Sequence, residues 1–197
     1  MSPEVTIIIP SLLRESLSKL IDSICYQEVP CSILVINGDN VSKQRNEGVA
    51  KTATPYILFT DDDTVLRRGT LKKMLEHKED VVFGGVRGGF NTTPDQPISG
   101  ANIFCNTEIA RTIPWDETIR VGEDLDWGWR VMERKYNWTY DHEAVIFHIG
   151  RPQSQNTWGR EHTLSSGIIL ENKHPLKTIQ LRVQEAMIGD EFLKRMR

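Results

Sequence analysis

With 197 residues, 39% of them hydrophobic and 26% charged, the chain has the length for one domain whose core needs no disulfides. A formal net charge of −3 gives no basis for a nucleic-acid or membrane partner, and no apolar stretch approaches the ~18 residues of a membrane span. Cys25, Cys31 and Cys105 show neither CxxC nor Cys/His metal spacing and read as reduced thiols, and the opening MSPEVTIIIPS lacks the basic start and apolar length of a signal peptide.

The continuous β-branched run VTIII (5–9), stopped at Pro10, predicts a strand buried on both faces. Leu17, Leu20, Ile21 and Ile24 recur at helical spacing and predict an amphipathic helix over 14–26. SILVIN (32–37) predicts a second buried strand, ended by Gly38-Asp39. A short helix is expected over 42–51 and a third strand at YILFT (56–60). Leu71, Met74 and Leu75 mark another helix, and DVVFGGV (80–86) a fourth strand. This alternation predicts an α/β fold with a mostly parallel sheet flanked by helices. Ligands collect beyond the carboxyl ends of the strands in such sheets. Pro10-Ser11, Asn37-Gly38-Asp39 and Asp61-Asp62-Asp63 all fall there. Beyond residue 90 the pattern becomes loop-like, then predicts a strand at 101–106, a short helix at 107–113, a helix at 122–135 and a strand at 144–150. The segment 151–166 is polar and turn-rich, and a helical tail is expected from about Leu176.

The stretch YILFTDDDTVL places three aspartates side by side at the end of an apolar run. Adjacent carboxylates repel and an unpaired buried one is costly, so the triplet asks for a compensating cation. Mg2+ and Mn2+ prefer oxygen ligands and often take only one or two protein carboxylates, with water and substrate phosphates completing the shell. Of Asp61 and Asp63, one would hold the metal and the other orient a ribose or a neighbouring group. In GEDLDWGW, Glu123, Asp124 and Asp126 fall in the first turn of a helix, where one acid simply complements the dipole. Three acids beside Trp127 and Trp129 suggest a pocket in which a carboxylate with a raised pKa takes a proton from a hydroxyl. His148, between Phe147 and Ile149, is either a satisfied edge residue or a third metal ligand. GGVRGG (84–89) does not match GxGxxG and no GxxxxGK[ST] loop exists. Its glycines allow close approach to a ligand or form a turn. Arg87 and Arg45 each face an anion, a diphosphate in the case of Arg45, or only water.

The ordered set of these motifs resembles the nucleotide-sugar-dependent glycosyltransferases of the GT-A fold, most closely glycosyltransferase family 2. VTIIIPSLLR, with Pro10, Ser11 and Arg14, resembles the opening strand whose end cradles the nucleotide base. QRNEGVAKTATPYILFTDDD, with Arg45 and Asp62, resembles the helix–strand segment leading to the DxD motif, whose acids match Asp61 and Asp63. SGANIFCN, with Gly100 and Ala101, resembles the strand lining the donor-sugar site. GEDLDWGWRV resembles the ED motif, whose aspartate is the catalytic base. Asp124 is the matching position, with Glu123 before it and Trp127 beside it. His148 resembles the late histidine that completes the metal shell. The family's two adjacent acids after the second strand are replaced here by NGDN, so Asn37 or Asp39 takes the nucleotide contact. The QxxRW motif of processive synthases is absent; QSQNTWGR (153–160) is not it.

The resemblance implies a Rossmann-like GT-A catalytic domain over 1–150, with 151–197 a loop and helical extension packed on it. The implied activity moves a sugar from a UDP-, GDP- or TDP-sugar to a hydroxyl on a glycan, a lipid-linked acceptor or another molecule. It proceeds by direct displacement with inversion. Asp63, with His148, would hold Mn2+ or Mg2+ on the diphosphate, and Asp124 would deprotonate the acceptor. The loop 151–166, with Arg151 and Trp158, would close over the donor. Two rival readings remain. A nucleotidyltransferase would carry a glycine-rich basic loop, which PSLLRES does not supply. An inactive sugar-nucleotide-binding protein sits poorly with retention of both acidic motifs. Ile179, Val183, Ala186 and Met187 give the terminal helix an apolar face that covers the core or joins two copies in a homodimer. The expected location is cytoplasmic, with peripheral attachment to a membrane left open.

Overall fold

A computed structural model describes residues 3–88, 91–149 and 168–178. The chain begins with β1 (Val5–Ser11), α1 (Ser16–Cys25), β2 (Cys31–Asn37), α2 (Val41–Lys51) and β3 (Tyr56–Phe59). A three-residue strand β4 (Thr64–Leu66) follows, then α3 (Thr70–Glu76) and β5 (Val81–Arg87). The second half adds β6 (Ile103–Asn106), α4 (Thr107–Thr112), α5 (Glu123–Glu133) and β7 (Trp138–His148). The described residues form one seven-stranded sheet in the order β2-β1-β3-β6-β5-β7-β4.

β1 is buried along its whole length, as its unbroken apolar run requires of a strand between two helix layers. Ile7 pairs with Ile33 on one side and Leu58 on the other, both in parallel ladders. α2 crosses this strand at Gly48, where a Cβ would lie 2.5 Å from Ile8 Cγ2. Asn40 caps α2 by accepting from the Lys43 N–H. Helix α1 lays Leu20 and Ile24 on the opposite face of the sheet, with Val5, Ile9, Leu58 and Leu71.

The sheet is mixed. The β2–β1, β1–β3 and β5–β7 pairings are parallel, whereas β3–β6, β5–β6 and β4–β7 are antiparallel. The parallel character foreseen from the βαβ alternation therefore holds for the first three strands and gives way where β6 inserts. Two strand features lie outside the sequence expectations. β4 is three residues long, too short to show alternation. β7 starts at Trp138, six residues before the expected strand at 144. Its first half is largely polar, and its ladder with β5 shifts register between Gly84 and Gly85, where His142 and Glu143 are left exposed. Asn102 fills the opened ladder, with Nδ2 donating to the Gly85 and Ala144 carbonyls. A Cβ on Gly84 would lie 2.2 Å from that Nδ2. Gly84 of GGVRGG thus makes room for a buried asparagine rather than for a ligand. Arg87 likewise donates to the Val86 and Thr92 carbonyls.

One face of the sheet is closed by an aromatic cluster. Trp127 stacks on Trp115 with centroids 5.3 Å apart, and Phe59 meets both rings edge-on. The helical residues 168–178 return to this face, where Leu170 joins the core. Their polar anchor is Asp126, fully buried, which takes Arg130 at 2.6 Å, Lys173, and His174 at 3.1 Å. No helix among the described residues is long and apolar enough to cross a membrane. Residues 179–197, including the apolar face foreseen for the terminal helix, lie outside the described residues.

Candidate active site

The acidic triplet occupies the tight turn between β3 and β4. Thr64 Oγ1 closes that turn on the Asp61 carbonyl at 2.8 Å and contacts Thr60 Oγ1 at 2.9 Å. β4 pairs antiparallel with β7, which sets Thr64 opposite His148. The Ile149 N–H then donates to the Asp63 carbonyl at 2.8 Å. His148 is thereby carried from the far end of the chain to the triplet. Asp61, Asp63 and His148 each offer one ligand atom, and these atoms lie within 4.8 Å of one another.

The three aspartates have separate partners. Asp62 turns inward, where its Oδ2 accepts from Ser11 Oγ at 2.8 Å and from the Leu12 N–H at 3.0 Å. It is a stitch between the ends of β1 and β3. Asp62 and Ser11, both expected among the substrate-binding residues, are 5% and 2% exposed and bond to each other. Pro10 is likewise buried within β1, paired with Ile36. Asp63 accepts from Arg14 at 2.8 Å through Oδ2, while its Oδ1 lies 3.4 Å from His148 Nε2. Burial pushes the Asp63 carboxyl above its ordinary range and the Asp61 charge adds to this, with His148 and Arg14 opposing. Asp61 accepts from Arg45 at 3.0 Å. Two hard carboxylate oxygens and an imidazole nitrogen suit a divalent cation.

Across the crevice, Gly122 adopts φ 78° and turns the chain into α5. Glu123 and Asp124 follow in the first turn. Asp124 is held by two backbone donors, the Gly100 N–H to Oδ2 and the Leu125 N–H to Oδ1, each at 2.9 Å. Burial raises its pKa, and the Gly100 hydrogen bond opposes that rise. Glu123 is pushed up to about 7, first by burial and then by the charge on Asp124. Asp126, the third acid of this turn, faces the other way as the anchor of residues 168–178.

Arg45 joins the two groups of acids. Its guanidinium donates to Asp61 Oδ1 and to Glu123 Oε1, both at 3.0 Å. It is 1% exposed and its Cζ lies 4.2 Å over the Trp115 ring. The alternatives of facing a diphosphate or water are therefore both replaced by a buried double ion pair. Trp115, which no sequence motif marks, is the floor of this arrangement. It sits in the aperiodic IPWDE connection, where no spacing points to a functional residue.

The remaining expectations divide. Gly100 belongs to the site, since it orders Asp124 and a Cβ there would lie 2.5 Å from Arg45 Nη2. Ala101 is 2% exposed in the core beneath, and Trp127 is fully buried with Nε1 donating to the Ile113 carbonyl. Asn37 and Asp39 are exposed at the carboxyl end of β2. Arg151 and the segment 151–166 lie outside the described residues.

Two outcomes follow from this geometry. Trp127→Ala is expected to cost about 3–5 kcal/mol of stability in urea unfolding, because it empties a stacked aromatic site in a closed core. The Glu123 carboxyl binds its proton more tightly in the folded chain, from an ordinary 4.5 to about 7. Between those values the native state holds more protons than the unfolded state, so this group makes stability fall as pH rises. Thermal melts without metal, from pH 4.5 to 7, are expected to show a shallower fall in Glu123→Gln than in the unsubstituted chain.

The profile of Glycosyl transferase family 2 matches residues 14–141. A pre-mycofactocin glycosyltransferase of Mycobacterium tuberculosis is 26% identical over 169 residues, covering 70% of this chain and 36% of the relative. The chain thus spans about a third of that protein's length. Among solved structures, S. aureus TarS 1-349 in complex with UDP-GlcNAc superposes with TM-score 0.66 at 14% identity, covering 84% of this chain and 65% of that one. The catalytic domain of Drosophila beta1,4galactosyltransferase 7, in complex with xylobiose, superposes with TM-score 0.67 at 12% identity, covering 83% and 79%. A profile match over more than half the chain and the superposed sheets agree: the chain belongs to glycosyl transferase family 2 and carries the GT-A fold.

Proposed function

We propose that the protein transfers a sugar from a nucleoside diphosphate sugar to an acceptor hydroxyl, with a divalent cation and with inversion at the anomeric carbon. The observation that carries this reading is the convergence of two acidic groups, Asp61–Asp63–His148 and Glu123–Asp124, on the two sides of one guanidinium. The UDP and UDP-GlcNAc complexes of TarS support a nucleotide-sugar donor.

Asp63 and His148, with Asp61 beside them, would hold Mn2+ or Mg2+. When bound, the cation supplies charge stabilisation for a leaving diphosphate. Arg14, half exposed on Asp63, is within reach of the same anion. Asn37 or Asp39, both exposed at the end of β2, would contact the nucleotide. Asp124 is the proposed base. Its two backbone hydrogen bonds orient the carboxylate, and its raised pKa strengthens it as a proton acceptor. The proton moves from the acceptor hydroxyl to a carboxylate oxygen of Asp124 as that hydroxyl attacks opposite the diphosphate. Residues 1–150 would be the catalytic domain. Incubation with UDP-, GDP- and TDP-sugars and Mn2+ tests this reading. Slow metal-dependent nucleotide release with at least one donor is expected. A nucleotidyltransferase would instead release pyrophosphate from a nucleoside triphosphate, and either that result or inertness toward every donor overturns the proposal.

A further inference from the structure

We propose that Arg45 is a positioning residue that couples the two acidic groups, so that the charge at Glu123 sets how strongly Asp61 and its neighbours hold a divalent cation. This rests on the metal-dependent reading above and adds to it a link between cation binding and the acid pair that precedes α5.

The link is built, not incidental. Arg45 is 1% exposed, so its charge is not dispersed into water. The guanidinium reaches both carboxylates at 3.0 Å through different nitrogens, Nη2 to Asp61 and Nη1 to Glu123. Trp115 closes one face at 4.2 Å, and the missing side chain of Gly100 leaves just enough room for Nη2 on another side. Its Nε is buried with no hydrogen-bond partner among the described residues. Among those residues its hydrogen bonds go to the two acids. Arg14 approaches the cluster from the other side, through Asp63 and Asp62, and has no contact with Glu123. A planar fork of this kind holds two carboxylates at once, which a single ammonium does not. When Glu123 loses its charge, the guanidinium acts on Asp61 alone, and the positive field at the cation cluster rises. Direct attraction between the Glu123 charge and the cation is lost as well, but it does not depend on the fork.

The test uses the full chain and Mn2+ alone at about pH 8, where Glu123 carries its charge, with free Mn2+ followed by electron paramagnetic resonance and no donor present. Glu123→Gln is expected to weaken Mn2+ binding roughly 3- to 10-fold, although Glu123 is not among the cation-holding residues. In the Arg45→Lys background the same change is expected to shift affinity by no more than about twofold, because one ammonium cannot bridge both acids. Arg45→Lys keeps the buried charge and avoids the folding defect expected of an apolar replacement. Unchanged Mn2+ affinity in Glu123→Gln overturns the coupling, and so does an undiminished effect in the Arg45→Lys background. In both cases the cation reading stands. Absence of Mn2+ binding by the unsubstituted chain overturns the cation reading and the coupling together.

Discussion

Asp124→Asn is expected to leave Mn2+-dependent nucleotide binding nearly unchanged while lowering sugar transfer on the order of 10²–10⁴-fold, the usual contribution of one positioned base. The asparagine is close in shape and keeps one oxygen for the Gly100 or the Leu125 N–H. The other N–H is then left facing an amide NH2, a local cost of about 1–3 kcal/mol that thermal unfolding will register. What the amide lacks is a place for the acceptor proton. Nucleotide release with and without acceptor, set beside calorimetric binding of the same nucleotide, separates these effects. Full transfer activity in Asp124→Asn removes Asp124 from the role of base.

The second large effect falls on the cation. Asp63→Ala is expected to abolish metal-dependent nucleotide binding. Removing an outer-shell partner of a metal ligand typically costs about 10–100-fold in affinity, and a direct ligand is expected to cost more. Stability without metal is not expected to fall with it. Asp63 is raised by burial and by the Asp61 charge, so its loss relieves repulsion in the turn while freeing Arg14, which is already 46% exposed. The fold of the variant is checked by circular dichroism and its Mn2+-dependent binding by calorimetry. Retained binding would place the cation elsewhere and break the proposed link between the triplet and the diphosphate.

Much of the framework is legible in the residue pattern alone. The run at 5–9 has no polar stretch to face solvent, and it forms the buried β1. The apolar spacing of Leu20 and Ile24 gives α1 its buried face, and the acids of GEDLDWGW open α5. The two acidic motifs and the late histidine are also visible as residue types at telling places. The structure brings one ligand atom each of Asp61, Asp63 and His148 within 4.8 Å of one another, with His148 3.4 Å from Asp63.

The sequence by itself determined most of the strands and helices, β4 and the first half of β7 excepted, and which of them end in carboxylates, because those patterns are written between chain neighbours. Only the tertiary structure decided what each side chain meets. Asp62 and Asp63 are adjacent in the chain, yet one is stitched to Ser11 inside the fold and the other faces His148 and Arg14. Trp127 lies one residue from Asp126 and three from Asp124, but it packs in the aromatic core while Asp126 anchors residues 168–178. Arg45 reads as any helix arginine until Asp61, Trp115 and Glu123 close around it. A charge's role is set by the partners that long-range packing delivers, and a local pattern holds the residue type without the partner.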